Sequence, residues 1–248
     1  MMYQSFVYLE ARILLPSVTE VFSVNKKTHK TTVNNDVLQQ VFTFARAFGS
    51  DIPSLSPVER LTAKLPKLPD KRTLTGYSIK IAEGGSINIM FHNRAKKIFI
   101  EEIRIEEDAG RLARANGETR FDFSYAGYPS IRIHTTPSFE TGEETEIFLN
   151  ELRRLAQYLH IANEQAENTI RCNAFVSLSE YPDLPDYYVK LRNLNSFNFV
   201  RKAINSELTR QENMLSNGDV VKSESRLWNE TKSRTEFFQQ RTEIQRRF

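Results

Sequence analysis

The sequence predicts an α+β fold in which a large antiparallel sheet carries a few helices. Three observations predict it. Stretches that alternate apolar and polar residues recur from Phe6 to Trp228, and glycine, proline or asparagine bounds most of them. Helical spacing of apolar residues occurs in three places only. These helices are interspersed irregularly among the strands instead of alternating with them, so antiparallel pairing is favoured over a βαβ array.

The elements follow in order. FVYLEARILL, residues 6–15, is β-rich, closes at Pro16, and its alternation sends Glu10 and Arg12 to one face. A polar connection, NKKTHKTTVNN, leads to a helix over 36–49 whose stripe is Val37, Leu38, Val41, Phe42, Ala45 and Phe48, with Gly49 as its stop. Residues 50–72 hold Pro53, Pro57, Pro66 and Pro69 and are expected to be irregular surface. A hairpin around Glu83-Gly84-Gly85 is expected in 76–91, followed by strands over 96–107 and 118–137. Thr141 and Glu144 form a capping box that opens a helix with the stripe Phe148, Leu152, Leu155 and Leu159. Strands over 170–179 and 187–194 flank the turn YPDLPD. Ser196 then caps a third helix that stops at Gly218, and a last strand precedes a polar, basic tail over 231–248.

With 248 residues the chain can bury a full core, and 40% hydrophobic and 26% charged residues are ordinary for a globular protein. A net charge of +3 permits contact with nucleic acid or a nucleotide and argues for neither. The single cysteine, Cys172, excludes an internal disulfide and a thiolate zinc cluster. The first residues lack a basic n-region, and no apolar run reaches bilayer length, so a cytoplasmic protein with no membrane association is expected.

Three groups of residues could carry chemistry. IRIEEDAGRL runs from a strand pattern into Glu106, Glu107 and Asp108, three adjacent acids that either form a solvated turn or hold a cation, with Glu10 as a further ligand if the strands converge. If 170–179 and 187–194 pair as a hairpin, Arg171, Asn173, Lys190 and Arg192 share a polar face; the plain alternative is the wet side of a half-buried sheet. Asn193, Asn195 and Ser196 stand at a helix N-terminus that could take a phosphate or simply cap the helix. His29, His92, His134 and His160 show no metal-ligand spacing. No phosphate-cradling glycine loop and no nucleophile–histidine–acid arrangement is present.

Taken in order, YLEARILL, IRIEEDAGRL, FDFSYAGYPSIRI, ENTIRCNAFVSL, VKLRNLNSFNFVRKAI and ESRLWNE resemble the B subunit of the glutamyl/aspartyl-tRNA amidotransferase family. The resemblance implies a cradle akin to glutamine synthetase, a curved sheet around the active site, over residues 1–230. It implies transfer of the γ-phosphoryl of ATP to the glutamate or aspartate carboxylate on mischarged tRNA. Amidation with ammonia, which the A subunit releases from glutamine, would follow. Subunits A and C and tRNA are the implied partners, and ATP and Mg²⁺ the implied cofactors. The implied metal ligands are Glu10, Glu106 and Glu107. Catalysis is implied for those three with Lys190 and Arg192, and nucleotide contacts for Arg171, Asn173, Asn193, Asn195 and Ser196.

Departures from the family pattern are as informative. Arg12 stands where the family has a metal-binding histidine, Ser124-Tyr125 replaces asparagine-arginine, Arg132 replaces a glutamate, Asn173 an aspartate and Phe175 an asparagine. The four-cysteine zinc site is gone. The sequence stops at Phe248, where the family's helical and tail tRNA-binding domains would begin, so these are expected to be absent. A guanidinium about 4 Å from a carboxylate gains roughly 4 kcal/mol at an effective dielectric near 20, before desolvation. An arginine could therefore replace Mg²⁺ beside Glu10 or Glu106. That favours a non-catalytic paralogue, a pseudoenzyme, over a still active amidotransferase subunit.

Overall fold

The computed structural model describes residues 3–15, 17–18, 20–24, 31–64, 73–107, 111–115, 118–122, 127–161 and 170–240. β1 (Gln4–Leu14) comes first, then the antiparallel pair β2 (Phe22–Val24) and β3 (Thr31–Val33), then α1 (Asn35–Ala47). β4 (Val58–Lys64), β5 (Thr73–Glu83), β6 (Ser86–Phe91) and β7 (Arg94–Glu107) follow. A second small pair, β8 (Arg111–Ala115) and β9 (Glu118–Asp122), precedes β10 (Pro129–Thr135). α2 (Gly142–Tyr158), β11 (Ile170–Ser179), β12 (Val189–Arg192), α3 (Phe197–Ser216), β13 (Glu224–Asn229) and β14 (Arg234–Gln240) complete the order.

Among the described residues ten strands form one sheet in the order β14-β13-β12-β11-β1-β10-β7-β5-β4, with β6 paired to β7. With three helices among the same residues, the architecture is α+β. The sheet is mixed where a wholly antiparallel one was expected, because β12 and β13 run parallel. Their connection is the 20-residue helix α3, and a return in the same direction needs a long crossover of this kind.

β1 owes its central place to its own pattern. Val7, Leu9, Ala11 and Ile13 are fully buried on one face, together with Ile131 and Ile133 of β10, Ile103 and Ile105 of β7, and Ala174 and Val176 of β11. The fully buried Phe148, Leu152, Val200 and Ile204 bring α2 and α3 into the same core. The alternate residues of each strand then project to the opposite face, where nearly all the polar side chains of these strands lie. Caps set the helix starts: Phe199 N–H donates to the Ser196 hydroxyl at 3.1 Å, and Glu144 N–H to Thr141 at 3.3 Å.

Three details differ from expectation. β5 and β6 do not pair with each other; both pair with one edge of β7 in the same direction, with Gly84-Gly85 as a break between them. The tight turn is at His92-Asn93, where both residues have positive φ (47° and 60°), as a two-residue hairpin loop requires. Residues 58–64, expected as irregular, form β4 at the sheet edge, just beyond Pro57. Of the stretch 231–248, Arg234–Gln240 forms β14 against β13, and 241–248 lie outside the described residues. Among the described residues no helix is long and apolar enough to cross a membrane.

Candidate functional site

The site lies on the polar face, centred on β1. Glu10 pairs across the sheet with His134 of β10 and Asn173 of β11, while Arg12 pairs with Arg132 and Arg171. Glu106 of β7 stands opposite Ser130 and Ser78. Phe175 faces Lys190 across β11 and β12, and that register carries Asn173 toward Arg192. Glu10, Glu106, Arg171, Asn173, Lys190 and Arg192 therefore share one face.

Glu106 is 1% exposed and holds two arginines. Arg12 Nη2 lies 2.5 Å from one carboxylate oxygen, Arg132 Nη1 donates to the other, and the Ser78 hydroxyl adds a long contact at 3.5 Å. Arg132 also reaches Glu10 through Nη2 at 2.7 Å. Glu10 in turn accepts from Asn173 Nδ2 at 3.1 Å and Lys190 Nζ at 3.4 Å. A single guanidinium, that of Arg132, thus bridges both carboxylates.

The protonation states follow. Burial alone would raise the Glu10 pKa, yet Lys190 and Arg132 overcome it and hold the carboxyl far below the usual glutamate range. Burial works against charge on Arg132 as well, but Glu10 and Glu106 outweigh it and keep the guanidinium charged. Burial and the neighbouring Arg132 push His134 below its ordinary value, so it is neutral near pH 7. Cys172 lies on the apolar face, and burial drives its thiol up to about 12, which leaves it no nucleophilic role.

The remaining candidates divide. Glu107 follows Glu106 directly along β7, so it projects to the opposite face, and burial raises its pKa. Asp108 lies outside the described residues, as do Ser124 and Tyr125. Asn193 adopts positive φ (64°) and donates to the Trp228 carbonyl at 3.1 Å, and Ser196 caps α3; both serve the helix junction. Asn195 is exposed beside them. The polar face also holds Arg104, which was not among the candidates. It is buried, donates to Ser78 at 2.7 Å and pairs with Glu59 at 2.8 Å. Its place between Ile103 and Ile105 was the signal.

The donor set does not fit Mg²⁺. Among the described residues no three acids, histidines or cysteines gather as a metal group. Both Glu106 oxygens already meet guanidinium nitrogens, and both Glu10 oxygens meet Asn173, Lys190 or Arg132. A hard dication seeks free carboxylate oxygens and would have to displace guanidinium groups that cannot lose their charge.

The model of the GatB/GatE catalytic domain matches residues 20–247. The chain belongs to that family. Among the curated relatives of this GatB/GatE-family chain, the B subunit of the aspartyl/glutamyl-tRNA(Asn/Gln) amidotransferase of Gloeothece citriformis is 32% identical over 220 residues, 82% of this chain and 44% of that protein. The protein of the same name from Synechococcus elongatus is 29% identical over 267 residues, covering 94% and 54%. That of Clostridium botulinum is 31% identical over 206 residues, covering 82% and 43%. The chain spans about half the length of the curated relatives it matches.

Proposed function

We propose that this GatB/GatE-family chain is a non-catalytic paralogue, a pseudoenzyme that keeps the cradle as a binding or scaffolding module. One observation carries the reading: Arg132 bridges Glu10 and Glu106, with Arg12 and Lys190 completing the neutralisation. Phosphoryl transfer from ATP to a carboxylate needs a divalent cation against the phosphates and acids to hold it. Here those acids are engaged by the chain's own cationic side chains. Withdrawing one cation from such a buried cluster leaves an uncompensated charge, at a cost of about 3–5 kcal/mol.

A second reading, an active ATP-dependent subunit working with subunits A and C on mischarged tRNA, draws on Glu10, Glu106 and Lys190 sharing one face. The assay that separates the two is ATP hydrolysis and amidation of mischarged tRNA with subunits A and C added. The pseudoenzyme reading expects no turnover above the level of Glu106→Gln. Mg²⁺-dependent turnover that Glu106→Gln abolishes would overturn it.

A further inference from the structure

Among the described residues three strands of the sheet have an open edge: β4 and β14 at its ends, and β6, which pairs with β7 alone. Two of them carry charges of the kind that discourage a further strand from adding on, Glu59, Arg60 and Lys64 on β4 and Arg234 and Glu236 on β14. β6 reads SINIMF, without a charge, a proline or a glycine, and it keeps a regular register with β7. Such a segment on an edge is a template for pairing with another strand of its own kind.

The backbone of β6 shows which groups it offers. Ser86 N–H donates away from β7, to the Phe48 carbonyl at 2.9 Å. Hydrogen-bonding direction alternates along a strand, so Asn88 and Met90 also turn their N–H and C=O groups outward, while Ile87, Ile89 and Phe91 bond to β7. Phe48, just past α1, closes the edge at Ser86, and the His92-Asn93 turn ends it on the other side. Asn88 and Met90 remain between them, and both are exposed, Met90 to 62%. Phe99 of β7, opposite Ser86 and 50% exposed, continues the apolar surface on the face that Met90 occupies.

We infer that β6 pairs antiparallel with β6 of a second copy of this chain, about a two-fold axis at Ile89. The register follows from the two open positions. With Ile89 opposite its own copy, Asn88 of each chain stands opposite Met90 of the other, and both pairs exchange N–H···O=C bonds in each direction. A different strand would need two open positions at this same spacing; a second copy has them, and it brings no like charge against the neutral edge. The interface is small, so dissociation in the range of about 10–100 µM is expected. The inference is independent of the pseudoenzyme reading, because it uses none of the residues around Glu10 and Glu106.

The test is sedimentation equilibrium of the full chain from about 5 to 500 µM. The mass should rise with concentration from 28.8 kDa toward twice that value. Asn88→Pro removes an N–H that points away from β7, so the fold should persist by circular dichroism while dimer dissociation becomes about tenfold easier or more. Met90→Lys, at an exposed position, should do the same, whereas Val220→Lys, exposed outside β6, should change nothing. Oxidation of Ile89→Cys should link two chains, since partners in a non-hydrogen-bonded antiparallel pair lie about 4.5 Å apart. Asn88→Cys, whose own copy lies on the diagonal at about 7–8 Å, should not. Cys172 does not compete, because burial pushes its thiol up to about 12. A monomer across the whole range, a dimer indifferent to both Asn88→Pro and Met90→Lys, or cross-linking through position 88 instead of 89 would overturn the inference.

Discussion

Arg12 and Arg132 face each other across neighbouring strands, and both direct their guanidinium groups to the carboxylate of Glu106. Two like charges occupy a register where they repel, and a buried acid between them makes the arrangement favourable. The three residues form one charge-paired unit with Glu10.

Removing the bridging cation should be costly. Arg132→Met leaves Glu10 and Glu106 without their shared partner, while Arg12 and Lys190 still reach one acid each. We expect a loss of about 3 kcal/mol, near the lower end for breaking a buried pair, in urea unfolding at neutral pH. A loss under about 1 kcal/mol would mean the bridge does not hold the face together.

Acid should undo part of the same unit. The pKa of Glu10 is depressed in the fold relative to its ordinary value of 4.5. Its contribution to stability is therefore complete above that value and is lost as pH falls below it toward the folded-state pKa. Urea unfolding across this acid range should show a shallower decline for Glu10→Gln than for the unaltered chain. Parallel declines would contradict the assignment.

A second buried acid secures the far end of the sheet. Glu207 of α3 is 0% exposed and accepts from Arg210 at 2.7 Å, Gln211 at 2.9 Å and the Thr235 hydroxyl of β14 at 2.8 Å. Glu207→Ala removes the acceptor shared by Arg210, Gln211 and Thr235 and leaves Arg210 only the Glu224 carboxylate, at 3.3 Å, so a loss of about 3 kcal/mol is expected in the same assay. Amide exchange in β14 should accelerate more than exchange in β1.

Gly85 tests the break between β5 and β6. A Cβ there would sit 2.5 Å from Ser50 Oγ and 2.7 Å from the Phe48 carbonyl, at a φ of +92°. Gly85→Ala should destabilise by more than about 1 kcal/mol, and by more than Gly49→Ala, whose Cβ meets nothing within 4 Å. Equal urea midpoints for the two variants would contradict this.

Much of this was legible from local pattern. Alternation in IRCNAFVSLS and YYVKLRNL places Arg171, Asn173, Lys190 and Arg192 on one face, and the β11–β12 register bears that geometry out. The same parity separates Glu106 from Glu107: Ile103 and Ile105 claim the core, which sends Arg104 and Glu106 to the polar side and Glu107 away from it. What local pattern does not contain is the strand order. Nothing near Phe6 says that β1 lies between β10 and β11, and a one-residue slip would turn Glu10 into the core. The Arg132 bridge is a product of that order. The His92-Asn93 turn escaped because Gly84-Gly85 carries the stronger local turn signal.

On the pseudoenzyme reading, the chain's own cations occupy the acids that would otherwise hold a divalent ion. Titration with Mn²⁺, followed by electron paramagnetic resonance, measures this directly. No stoichiometric site is expected on the unaltered chain, and one should appear when Arg12→His is combined with Arg132→Glu. Stoichiometric binding to the unaltered chain that Glu106→Gln abolishes would contradict it.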